Sequence, residues 1–180
     1  NLSLPSPHPG KRITGTRGRG AGSLERVANR LAGETSPYLL QHRDNPVDSL
    51  TVEQIRGIYS GRITNWAQVG GGDLPIIAFQ RDENSGSQTT MEKQVMQAVS
   101  MIRPEPAQVA GDMGELVDSV AEYRNDAGSI GYTFRFYIET LYRNEDIKML
   151  RINGAAPDDQ GIRSETYPFS TYYYGVIRAG

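Results

Sequence analysis

Arg81 stands just ahead of a short polar stretch, Asp82-Glu83-Asn84-Ser85-Gly86-Ser87-Gln88-Thr89-Thr90. Before it runs Pro75-Ile76-Ile77-Ala78-Phe79-Gln80, apolar and of strand length. After it, Met91, Val95, Met96 and Val99 recur at helical spacing. A strand, a polar loop and a helix start together suit anion binding. The first turn of a helix leaves N–H groups unpaired, and the helix dipole is positive there. Ser85 and Ser87 add hydroxyl donors, and a guanidinium at Arg81 presents a two-pronged fork to an oxyanion. The same residues admit a plainer reading, in which Ser85 or Ser87 caps the helix and Arg81 pairs with Asp82 or Glu83. A nucleotide-binding P-loop is excluded, because the Gly-Lys-Ser/Thr ending is missing.

Composition removes other chemistries. The 180 residues contain no cysteine, which excludes disulfides, thiolate metal sites and a cysteine nucleophile. The only histidines are His8 and His42, so a three-histidine zinc site is excluded too. No apolar run approaches the roughly 20 residues of a membrane-spanning helix. No paired carboxylates in residues 49–180 suggest general acid–base catalysis. The expectation is a non-enzymatic chain without a cofactor.

The elements that must position Arg81 and the serines are those of an α/β protein. Thr51 to Tyr59 places Val52, Ile55, Ile58 and Tyr59 on one helical face, with a capping-box pattern at its start and Gly61 as its stop. Gly70-Gly71-Gly72-Asp73 reads as a loop. Gly114 to Tyr123 suits a helix with Leu116, Val117 and Val120 buried. Ser129–Phe134 reads as a strand, Phe136–Tyr142 as a short helix, and Ile147–Ile152 and Tyr172–Ile177 as further strands. Tyr172, Tyr173 and Tyr174 fit packing at strand spacing better than a stacking platform.

The net charge of -2 averages two unlike segments: residues 1–48 carry +3 and residues 49–180 carry -5. Residues 1–24 hold Pro5, Pro7 and Pro9, then five glycines, without apolar periodicity, and are expected to be disordered. The stretch is not a secretory signal, because no apolar segment follows its basic residues. Its Arg17–Gly22 run lacks interleaved aromatics, so nucleic acid is not an expected partner. A short helix is expected over residues 24–33, between Ser23 as cap and Gly33 as stop.

Asn29-Arg30-Leu31-Ala32-Gly33-Glu34-Thr35-Ser36-Pro37-Tyr38-Leu39-Leu40-Gln41-His42, followed by Asn45-Pro46-Val47-Asp48, resembles the start of a thioredoxin-like family related to spermatogenesis-associated proteins. That family's Cys/His redox motif does not follow here, so the resemblance carries no redox function over.

A second resemblance runs from Asn45 to the C-terminus. Asn45-Pro46-Val47-Asp48-Ser49-Leu50-Thr51-Val52-Glu53-Gln54-Ile55 and Ile58-Tyr59-Ser60-Gly61-Arg62-Ile63-Thr64-Asn65-Trp66 are similar to phosphate ABC-transporter substrate-binding proteins of the PstS-like branch. Phe79-Gln80-Arg81, Ser85-Gly86-Ser87-Gln88-Thr89, Gly128-Ser129-Ile130-Gly131-Tyr132 and Tyr167-Pro168-Phe169-Ser170 match in the same order. The resemblance implies one lobe of a type II periplasmic-binding-protein-like fold. It implies a phosphate site on Arg81, Ser85, Gly86, Ser87 and Gln88, an ABC-transporter permease as partner and an extracytoplasmic location. It also implies that the family's first lobe, with its acidic acceptor for a phosphate proton, is not part of the match. The expected division is a disordered or foreign leader over residues 1–44 and an incomplete phosphate-binding-protein-like domain over 45–180. Asn45-Pro46-Val47-Asp48 fits both resemblances, so a chimeric or truncated chain joined there is expected.

Overall fold

The computed structural model describes residues 37–122 and 127–169. The expected disordered stretch, the helix over residues 24–33 and the strand Tyr172–Ile177 lie outside them. At the centre is a four-stranded sheet in the order β3-β6-β1-β7, formed by β1 (Pro37–His42), β3 (Ile77–Ala78), β6 (Ser129–Phe134) and β7 (Ile147–Met149). β1 runs antiparallel to β6, with Leu39 opposite Tyr132 and Leu40 opposite Gly131. It is antiparallel to β7 on its other side, with Leu40 opposite Met149. β3 is parallel to β6. Two smaller parallel pairs flank this sheet: β2 (Ser49–Leu50) with β8 (Arg151–Ile152), and β4 (Gln80–Arg81) with β5 (Val109–Ala110).

Neighbouring residues of β6 point to opposite faces, and both faces are covered. On one face Gly131 lies under α3 (Met113–Glu122): an added Cβ would sit 2.9 Å from Val120 Cγ2 and 3.1 Å from Leu116 Cδ1. On the other, Tyr132 meets Tyr59 of α1 (Val52–Tyr59) edge to face at 5.3 Å. Trp66, fully buried, ties its indole N–H to the Gly128 carbonyl at 2.9 Å.

The helices start where their sequences say they should. Thr51 caps α1 by accepting from the Gln54 N–H at 3.1 Å, and the Gln54 side chain accepts from the Thr51 N–H at 2.8 Å. Ile55, Ile58 and Tyr59 are buried, as the helical face predicts, and Val52 is half-buried. α3 buries Leu116, Val117 and Val120. Residues Tyr137–Leu141 coil in the wider π-helical form and bury Ile138.

Two expected strands differ. The run 75–80 divides into β3 and β4, which join different sheets. The run 147–152 divides at Leu150 into β7 and β8 in the same way. An apolar run of alternating pattern states that its residues are extended; it does not name their neighbours.

The residues just before the expected boundary at 44 and 45 form part of the central sheet. Pro37–His42 is an inner strand paired on both sides, and Tyr38, Leu39 and Leu40 are fully buried. Six residues with four consecutive apolar positions satisfy a strand covered on two faces. The Asn45–Asp48 stretch is equally built in. Asn45 Nδ2 donates to the Ala127 carbonyl at 2.8 Å and its Oδ1 accepts from the Val47 N–H at 3.0 Å. Gln41 Nε2 donates to the Val47 carbonyl, and Lys148 Nζ donates to the Asn45 carbonyl and to Asp48.

Candidate functional site

β4 ends on Arg81, and the chain then turns through Asp82-Glu83-Asn84 into α2 (Gly86–Thr90). The Asp82 carboxylate accepts from the Asn84 backbone N–H at 2.9 Å and from its side-chain amide at 3.2 Å, a local turn that Asp favours. The Ser85 N–H closes the turn on the Asp82 carbonyl at 2.9 Å. Ser85 then caps α2, its hydroxyl accepting from the Gln88 N–H at 3.1 Å. The plainer reading of the serine is therefore realised at Ser85. It does not exhaust the helix start, because the Gly86 and Ser87 N–H groups belong to the first turn, which has no intrahelical acceptors. The Ser87 hydroxyl lies 3.4 Å from that of Ser85, and Ser87 is fully buried. At Gly86 the ring of Phe134 is close: an added Cβ would meet it at 3.6 Å. The helix continues through the π-helical turn Met91–Met96, which buries Met91, Val95 and Met96; Val99 lies beyond it, half-buried.

Arg81 does not pair with Asp82 or Glu83. Its guanidinium is anchored on backbone: Nε donates to the Ala110 carbonyl at 3.1 Å and Nη2 to the Gly111 carbonyl at 3.2 Å. The anchor is held in turn by α3. The Gly111 N–H donates to Glu115 Oε2 at 2.7 Å, and the Glu115 N–H donates to Asp112 Oδ1 at 2.9 Å. Arg81 is 7% exposed, and its remaining prong, Nη1, is buried without a hydrogen-bond partner. A buried cationic donor left unpaired is costly, so this prong marks where an acceptor would be most stabilising.

The other end of Arg81 is fixed as firmly. Its backbone N–H donates to Gln88 Oε1 at 3.2 Å and to the Tyr132 hydroxyl at 3.4 Å. The Tyr132 hydroxyl donates to Gln88 Oε1. Gln88 Nε2 donates to Glu92 Oε1 at 2.8 Å and reaches Met101 Sδ at 3.7 Å. Gln88, expected among the ligand residues, is thus engaged inward: its amide groups and its backbone N–H all have protein partners. Burial raises the Tyr132 phenol well above the usual tyrosine range. Burial raises Tyr59 as well, with the neighbouring Tyr132 adding to it. Both stay protonated at any ordinary pH.

Of the five expected site residues, Arg81, Ser85, Gly86 and Ser87 gather around one helix start, with Gln88 behind them. Sequence reasoning missed the Ala110 and Gly111 carbonyls and Tyr132. Carbonyls carry no residue signature. Tyr132 offered a weak one, since a tyrosine in a buried strand needs a partner for its hydroxyl. Among the described residues, no group of three or more His, Asp or Glu is placed to hold a metal. No described helix is long and apolar enough to cross a membrane.

A family model described as a PBP superfamily domain matches residues 38–180. The chain belongs to the PBP superfamily. The match begins within β1. The phosphate-binding protein PstS of Bacillus subtilis (strain 168) is 25% identical over 136 residues, covering 75% of this chain and 42% of that protein. The phosphate-binding protein PstS of Staphylococcus aureus (strain USA300) is 27% identical over 128 residues, covering 69% of this chain and 37% of that protein. An ABC-type phosphate transport receptor from Vibrio cholerae aligns in three dimensions with a TM-score of 0.63 and 28% identity, covering 75% of this chain and 53% of that one. The resemblance to phosphate ABC-transporter substrate-binding proteins is borne out, as is the mixed α/β fold. The PBP-family chain spans less than half the length of these curated relatives.

Proposed function

We propose that this PBP-family chain binds inorganic phosphate as part of the substrate-binding component of an ABC phosphate transporter. The observation that carries this is Arg81: two prongs on backbone carbonyls, the third buried and unpaired. The anion would take its charge-assisted bond from Nη1, further donors from the Ser87 and Ser85 hydroxyls, and backbone N–H groups of Gly86 and Ser87. Two relatives are named phosphate-binding protein PstS and a structural neighbour is an ABC-type phosphate transport receptor, which supports phosphate over other anions. By the same reasoning the partner is an ABC-transporter permease and the working location is extracytoplasmic. No bond is made or broken in the proposed cycle; the oxyanion exchanges its water shell for fixed donors.

Calorimetric titration with phosphate tests the reading, comparing the protein with its Arg81→Ala variant. A hydrogen bond to a charged group is worth about 1.5–3 kcal/mol, so Arg81→Ala should weaken binding by roughly 10- to 150-fold. Absence of binding by the unaltered protein, or equal binding by both, rules the reading out. A parallel titration with sulfate separates phosphate recognition from general capture of tetrahedral anions.

A further inference from the structure

We propose that Tyr132 and Gln88 are positioning residues of the anion site, holding Arg81 and the start of α2 in one fixed relation without touching the ligand. The inference rests on the anion-binding reading of Arg81 and deepens it.

The case begins with what a binding arginine requires. A guanidinium on a flexible stem must be fixed at both ends to present one prong reproducibly. The outer end is fixed by the Ala110 and Gly111 carbonyls. The backbone end needs a separate hold, because β4 is only two residues long and, among the described residues, pairs on one side, with β5. Gln88 supplies that hold. Its Oε1 accepts from the Arg81 N–H, while its own backbone N–H is bound by the Ser85 hydroxyl that caps the helix. One residue therefore joins the one carrying the cation, through its side chain, to the one that opens the helix, through its backbone.

The Arg81 N–H and Glu92 decide which way the Gln88 amide faces, and Tyr132 holds it there. A glutamine amide can flip, exchanging its acceptor for its donor. Here the Tyr132 hydroxyl donates to Oε1 on one side, and the Glu92 carboxylate accepts from Nε2 on the other. Flipping would set the amide NH2 against the Arg81 N–H, which can only donate, and the carbonyl against a carboxylate. Tyr132 is held in place by its edge-to-face contact with Tyr59, and both rings are buried. The chain Tyr132–Gln88–Arg81 thus carries the order of the central sheet, through β6, into the site.

The test uses Tyr132→Phe, Gln88→Leu and the exchanged pair Gln88→Glu with Glu92→Gln, each in the full chain. The pair keeps an oxygen facing Arg81 and Tyr132 and a donor facing it from position 92, so it should rescue what Gln88→Leu loses. Amide hydrogen exchange is measured by NMR without ligand, with the Ile55 amide of α1 as internal reference. Tyr132→Phe and Gln88→Leu should speed exchange at Arg81 about tenfold relative to Ile55, as loss of one buried hydrogen bond predicts; the exchanged pair should restore it. Phosphate titration of the same proteins should show about tenfold weaker binding in the two single variants and near-normal binding in the pair. Unchanged relative exchange at Arg81 overturns the proposal. So does a loss of thermal stability with phosphate affinity unaltered. If the unaltered protein binds no phosphate, the anion reading fails. The exchange data then still decide whether Tyr132 and Gln88 fix Arg81.

Discussion

Leu39 and Leu40 give the sharpest test of where the folded domain begins. They are adjacent in β1, so their side chains enter opposite faces of the central sheet, and both are fully buried. If Pro37–His42 belonged to a leader outside the domain, either leucine could become alanine with an effect within about 0.5 kcal/mol. As an inner strand, each Leu→Ala exchange should cost about 2–5 kcal/mol, from lost burial plus the cavity left behind. Domains of this kind hold only about 5–15 kcal/mol in total, so the double variant should be largely unfolded. Urea unfolding followed by far-UV circular dichroism reads the single variants. With a slope of about 1–3 kcal/mol per molar urea, the midpoint should fall by roughly 1–3 M for each. Trp66, the one tryptophan of the chain and fully buried, gives a second probe through its fluorescence. The two signals should move together if unfolding is cooperative. Midpoints within about 0.3 M of the unaltered protein for both leucine variants would refute the inner-strand assignment. A matched pair of shortened chains, beginning at Pro37 and at Asn45, asks the same question; the Asn45 chain should lose the cooperative transition that the Pro37 chain shows.

Two further predictions concern packing and charge. Gly131→Val should lower stability by about 1–3 kcal/mol, since its side chain would press on Val120 and Leu116 of α3; Gly86→Ala, with only ordinary contact to Phe134, serves as the tolerated comparison in the same urea measurement. At Asp48, a hydrogen bond from Lys148, and then its charge, hold the carboxyl below its usual value of 3.8. Its stabilisation is therefore complete above that value and lost as pH falls through the lower folded pKa. The melting temperature of Asp48→Asn should lie slightly below that of the unaltered protein at neutral pH and merge with it once the pH falls below the lowered carboxyl value; a gap that persisted in acid, measured by scanning calorimetry, would contradict the assigned cause. The effect is small because the carboxylate is solvent-exposed.

Much of the molecule was determined by its sequence alone. The capped helix Thr51–Tyr59, the strand Ser129–Phe134, the buried face of Leu116, Val117 and Val120, and the gathering of Arg81 with Ser85, Gly86 and Ser87 at a helix start are all as read. These features are local: capping, periodicity and turn chemistry act within a few residues. The tertiary structure alone decided the rest. It divided the runs 75–80 and 147–152 between sheets and drew Pro37–His42 into the middle of the fold. It turned Gln88 inward onto Tyr132, and it left one prong of Arg81 buried and free. Each depends on groups far apart in the chain, Gln88 and Tyr132 by 44 residues and Arg81 and Gly111 by 30. No local propensity encodes such a pairing, because it becomes favourable only when burial removes water as the competing partner.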